Sequence, residues 1–109
     1  MKLYILINKD VEMSSAKLAV QVGHACTSFM MESSGKSNVL DWFYDNQTKI
    51  ILKAPESDLK KLEDNGYITI RDLGKTEIPA NTLTCVVLGL GTKERFLEEI
   101  PKFKRWRLA

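Results

Sequence analysis

The rhythm of apolar and polar positions changes several times along the chain, and each change marks an element. Residues 2–8 alternate only weakly but are strongly β-prone, with the apolar run Leu-Tyr-Ile-Leu-Ile at 3–7, which predicts a mostly buried first strand ending near Asn8. From about Ser15 to Met31 the period turns helical. At about 100° per residue, Lys17, Gln21, His24 and Ser28 fall within roughly 60° of one another, whereas Leu18, Val22, Ala25, Cys26 and Phe29 point elsewhere, toward a core. Ser14 is placed to cap this helix, with Met13 and Leu18 at the positions of a hydrophobic staple. The polar stretch at 32–37, with Gly35, ends it. A short helix over Asn38–Tyr44, a strand over Lys49–Ala54 and a compact helix over Pro55–Asn65 follow, the last capped by Ser57 and closed by Gly66. A strand over Tyr67–Arg71, a polar loop over Asp72–Asn81 and the strand Thr82–Leu90 come next. That last strand is the most apolar in the chain and is expected at the centre of the sheet. Thr92 caps the turn into a final helix. This order predicts an α/β fold: one layered domain spanning residues 1–109, with a mixed four-stranded sheet flanked by helices and a right-handed first crossover.

Composition narrows the picture without changing it. The 109 residues are 44% hydrophobic and 28% charged, the balance of a globular domain with one core and room for one site. No apolar run approaches the roughly 20 residues of a membrane span, and the opening strand is too short for a secretory segment, so a cytoplasmic location and no membrane partner are expected. Cys26 and Cys85 are far apart and there is a single histidine, so no metal and no cofactor are expected, and both thiols are assigned to packing. The net charge is only +2, but Lys102, Lys104, Arg105 and Arg107 are interleaved with Phe103 and Trp106. Such a segment can neutralise phosphates and offer Trp106 for base stacking. It equally fits a closing segment whose Phe103, Trp106 and Leu108 cover the core.

The polar stripe of the long helix carries the most chemistry. Lys17 stands beside the free amide groups of the first helical turn, an arrangement that favours an anion. The same pattern also describes an ordinary solvated helix face. Gly89-Leu90-Gly91-Thr92-Lys93 lacks the third glycine of a dinucleotide fingerprint and the spacing of a Walker loop, so it reads as a strand-to-helix turn.

Two segments resemble the type 2 peptidyl-tRNA hydrolase family. The first is the helix start, where Asp10, Met13, Lys17, Ala19, Gln21, His24 and Ala25 stand in register with the family pattern. The second comprises Asp72, Gly74, Thr76, Ile78, Thr82, Thr84 and Gly89, with a weaker echo at Trp42, Gln47, Lys49 and Ile50. Ser14, Ser15 and Ala16 stand where the family has Gly-Lys-Gly, Leu73 where it has alanine, and Leu90 where it has proline. The resemblance implies hydrolysis of the ester joining a peptide to the terminal ribose of tRNA, with tRNA as partner and a homodimer as a further expectation. That ester is already activated, and its cleavage requires a positioned water, a proton acceptor and oxyanion donors. On this reading His24 accepts a proton from water, directly or through Thr76, and Asp72 orients that group. Lys17 stabilises the oxyanion or holds the last phosphate, while Gln21, Thr82, Ser14, Ser15, Lys75, Trp106 and Arg107 contact substrate. The reading requires the 72–76 loop to lie within hydrogen-bond reach of the stripe. A second reading keeps the fold but makes the chain a catalytically silent module binding RNA or a nucleotide through Lys17, His24 and Arg107. A third is hydrolysis of another small ester or amide.

Overall fold

A computed structural model describes residues 1–74 and 78–109. The elements are β1 (Lys2–Asn8), α1 (Ser15–Glu32), α2 (Ser37–Asp45), β2 (Lys49–Ala54), α3 (Glu56–Asp64), β3 (Ile68–Arg71), β4 (Leu83–Gly91) and α4 (Lys93–Glu99). A 3-10 turn (Pro101–Arg105) and the two-residue β5 (Arg107–Leu108) close the chain. The sheet is mixed, as expected, but among the described residues it has five strands, in the order β3-β4-β1-β2-β5. The fifth was not legible because two residues carry no periodicity; it pairs antiparallel with β2, matching Leu52 to Leu108 and Lys53 to Arg107.

The middle strand is β1, parallel to β2 and antiparallel to β4, rather than β4 as expected. Apolarity reports burial on both faces, which any interior strand has, and so does not pick out the middle one. Leu3, Ile5 and Ile7 enter one core layer with Ala25, Phe29 and Trp42, under α1 and α2. Tyr4 and Leu6 enter the other with Leu59, Phe96, Phe103 and Trp106, under α3, α4 and the 3-10 turn. This is the alternation of a pleated strand with both sides covered, and it explains the unbroken apolar run. The β1/β4 register shifts between Tyr4 and Ile5, opposite Gly89 and Val87, and Gly89 takes a φ of 105° there. A bulge that needs a left-handed residue thus accounts for Gly89.

Ser14 caps α1 as expected, its hydroxyl accepting from the Lys17 amide at 3.1 Å, and Thr92 caps α4 in the same way. Ser57 does not cap α3. The residue at the cap is Pro55, which has no side-chain acceptor, and the Asp10 carboxylate reaches across from the end of β1 to accept the Glu56 amide at 2.8 Å. Gly66 follows α3 at a φ of 89°, as the sequence predicts. Because β4 runs antiparallel to both β1 and β3, those two strands point the same way. The start of α1 and the residues after β3 therefore meet at one end of the sheet.

Candidate active site

Lys17, Gln21 and His24 are spaced along α1 so that all three face the exit of β3. The first residue past that exit is Asp72, held by its own backbone: its amide donates to the Thr82 carbonyl at 2.9 Å, and its carbonyl accepts from Asn81 at 2.7 Å. Its carboxylate Oδ1 receives the Lys17 ammonium at 2.6 Å and the Gln21 amide nitrogen at 3.0 Å. Oδ2 receives the Gly74 backbone N–H at 2.6 Å. Asp72, the first residue of the 72–76 segment, thus lies within hydrogen-bond reach of Lys17 and Gln21 of the stripe.

The network continues inward. Gln21 is 1% exposed, and its Oε1 accepts the Thr84 hydroxyl at 2.6 Å; the same hydroxyl lies 3.2 Å from the Ile70 carbonyl. Lys17, Asp72, Gln21 and Thr84 form one continuous line from the groove to the buried start of β4. The hydrogen bond from Lys17 holds the Asp72 carboxyl below the usual carboxylate range; burial works against this, and the Gly74 and Gln21 donors add to it. An ionised carboxylate whose two oxygens already accept three donors is a holder of cations and amides, not a proton acceptor.

The groove above this line has a volume of about 500 Å³ and is lined by Lys17, Gln21, His24, Ser28 and Asp72, with Val20 and Leu73 at its sides. His24 stands exposed on its wall. The expected Asp72 to His24 bond is not made among the described residues: Asp72 spends its oxygens on Lys17, Gln21 and Gly74, and so positions Lys17 instead. The turn that brings Gly74 back onto Asp72 accepts only glycine. Its φ is 76°, and a Cβ there would lie 2.5 Å from the Ala80 nitrogen.

The remaining sequence candidates distribute as follows. Ser14 and Thr82 line a separate open cavity of about 750 Å³ at the first turn of α1. Thr82 precedes β4, and its hydroxyl closes a turn by donating to the Pro79 carbonyl at 2.7 Å, so it makes no bond to Gln21. Ser15 is exposed at the start of α1. Thr76 and Lys75 lie outside the described residues. Trp106 is 6% exposed, and its indole N–H donates to Asp58 at 3.0 Å, so its ring is a core element and not a free stacking platform. Phe103 is likewise buried, whereas Leu108 is exposed and not part of the core. Arg107 sits in β5, on the side of the sheet away from the groove. Thr84 stands among the residues of the resemblance and in an apolar strand, but the sequence reading gave it no role in the site. A threonine inside such an apolar strand must find a partner when buried, and that was the available signal. Cys85 is buried, and burial pushes its thiol up to about 12, in keeping with a packing role. Among the described residues no group of three histidine, cysteine, aspartate or glutamate side chains could hold a metal, and no helix is long and apolar enough to cross a membrane.

The residues that converge here are those on which the sequence resemblance rests, and comparison of the whole chain agrees with it. A relative described as peptidyl-tRNA hydrolase from Staphylothermus marinus is 37% identical over 106 residues, covering 89% of this chain and 88% of its own length. One from Thermococcus onnurineus is 38% identical over 102 residues, covering 85% and 86%, and one from Sulfurisphaera tokodaii is 36% identical over 101 residues, covering 81% and 84%. With the family described as peptidyl-tRNA hydrolase PTH2 matching residues 1–105, the chain belongs to that family.

Proposed function

We propose that this protein hydrolyses the ester bond of peptidyl-tRNA, releasing the peptide and a free tRNA, in the cytoplasm where translation takes place. Family membership supports the reaction, and one observation supports its location: Lys17, Gln21 and Asp72 meet at 2.6 and 3.0 Å on the floor of a groove whose wall carries the chain's only histidine. In this reading the ester carbonyl lies over Lys17. The ammonium, aimed by the ionised Asp72, stabilises the negative charge that develops on the carbonyl oxygen as water adds. His24 takes the proton from that water and returns it to the ribose oxygen as the bond breaks, a task suited to an imidazole near neutral pH. Gln21 does not meet the substrate as a free amide. Held at both ends by Asp72 and Thr84, it keeps the carboxylate in place, and through it Lys17.

The test is release of peptide from an N-blocked aminoacyl-tRNA by the purified chain at low and moderate salt. His24→Ala is expected to lose roughly 100-fold or more in turnover, the usual worth of a positioned proton acceptor. Lys17→Ala and Asp72→Ala should fall together, since one acts through the other. Unchanged turnover in His24→Ala would remove it from the reaction. An inert wild type that still binds tRNA in a salt-sensitive way would make the chain a binding module instead.

A further inference from the structure

The basic C-terminal segment has no part in the groove, and the structure puts it to a different use. Lys104 and Arg107 stand with Lys2 and Lys93 around a third cavity, of about 420 Å³, where β1 and β2 begin. Ile50 and the exposed Leu108 supply its accessible apolar floor, over the buried rings of Phe103 and Trp106. The whole chain is nearly balanced, with 16 basic and 14 acidic residues, yet among the described residues lining this cavity there is no carboxylate. None of its four cations forms a salt bridge with a described residue. Arg107 is steadied over the opening by a bond from its Nη1 to the Lys104 carbonyl at 3.1 Å.

Tyr4 adds an independent observation. It is 5% exposed, with its ring packed at 5.0 and 5.7 Å from those of Phe96 and Phe103, but its hydroxyl has no hydrogen-bond partner among the described residues. Every fully buried side-chain nitrogen or oxygen there does have one, so the Tyr4 oxygen must reach open space, and the space Tyr4 lines is this cavity. Burial, and then the charge of Glu94, raise the Tyr4 hydroxyl above its ordinary value, so at neutral pH it remains a donor.

The volume falls within the roughly 300–1,000 Å³ of small-molecule sites. A bare phosphate would leave the apolar floor uncovered, and an apolar ligand would leave four cations facing nothing. A ligand with a phosphate and a flat, weakly polar body satisfies both. We propose that this cavity is a second binding site, for a single nucleotide, with the phosphate held by Lys2, Lys104, Arg107 and the Tyr4 hydroxyl and the base laid against the apolar floor. It is distinct from the hydrolytic groove. Lys2 and Asn8 are at opposite ends of β1, six residues or about 20 Å apart at the rise of a strand, and the two sites lie on opposite faces of the sheet.

The nucleotide is either free or part of an RNA chain, and the experiment separates the two. AMP, adenosine and inorganic phosphate are titrated into isotope-labelled full-length protein, and amide shifts are followed by NMR. AMP should shift Lys2, Tyr4 and Arg107 saturably, and more tightly than either of its parts. Loss of two charge-assisted contacts in Lys104→Ala/Arg107→Ala should weaken AMP by about tenfold or more, and Tyr4→Phe should weaken it several-fold while keeping the ring and the fold. Shifts confined to Lys17 and His24, no shifts up to about 10 mM AMP, or equal affinity in all three proteins would overturn the proposal. Weaker binding of deacylated tRNA by the double variant would assign the site to RNA. Unchanged tRNA binding alongside lost AMP binding would assign it to a free nucleotide. Neither readout depends on ester hydrolysis.

Discussion

Replacing Thr84 by valine tests the buried half of the polar line. Valine keeps the shape of threonine and removes one hydroxyl. Thr84 is fully buried, its hydroxyl lies 2.6 Å from Gln21 Oε1, and Gln21 is 1% exposed, so no water replaces the lost donor. A buried acceptor left unsatisfied costs roughly 1–3 kcal/mol, and in a domain of about this size each kcal/mol lowers the melting temperature by roughly 4–8 °C. The double variant Thr84→Val/Gln21→Leu removes both partners at once, and exchange of a hydrogen-bonded pair for apolar groups of similar shape is nearly neutral. Stability should therefore return in the double variant. Peptide release should not, because Asp72 has lost the amide that shares its Oδ1 with Lys17. Urea unfolding and single-turnover kinetics on the four proteins measure both quantities. If Thr84→Val lies within about 0.5 kcal/mol of wild type, or the two substitutions are simply additive, Thr84 and Gln21 are not coupled and the line ends at Gln21.

Gly74→Ala forces a side chain into a left-handed turn against the Ala80 backbone, and displaces the N–H that Asp72 Oδ2 accepts. Turnover should fall far more than the roughly 1–2 kcal/mol of stability expected for the backbone alone, as read by kinetics beside thermal melting. For pH, the Asp72 carboxyl is lower in the fold than in the unfolded chain, so the stability it contributes is present above the ordinary carboxylate value near about 4 and is lost as pH falls toward the folded value. The stability difference between wild type and Asp72→Asn should therefore stay flat above that value and shrink below it; a difference that grows on acidification would reverse the assignment. Burial raises both thiols, Cys85 to about 12, so a disulfide reagent near pH 8 should modify Cys26 slowly and Cys85 only after unfolding, as counted by mass spectrometry.

Much of this arrangement is legible in the sequence where a single local rule governs. The helical spacing of Lys17, Gln21 and His24 gives their common face, Ser14 and Thr92 give two caps, and Gly66 marks a left-handed turn. What was not legible depends on chain-distant partners. Asp10 caps α3 from 46 residues away, so a search for a local cap settles wrongly on Ser57. Asp72 looks like an orienting carboxylate for histidine until the fold delivers Lys17 and Gln21 to it. Thr82 and Thr84 differ by two positions in sequence, yet one closes a turn and the other completes the polar line. Trp106 beside four cations suggests a nucleic-acid platform, but the core needs its ring and Asp58 takes its N–H.

The strand order has a consequence for the chain while it is being made. The middle strand of the sheet is made before the other described strands, but its neighbour β4 is encoded at residues 83–91, and Thr84 must cross 63 positions to reach Gln21. A nascent chain that stops short of β4 has α1, and it can have Asp72, but it lacks Thr84 and the strand through which β3 joins β1. It therefore carries no assembled site with which to cut the ester that still joins it to its own tRNA.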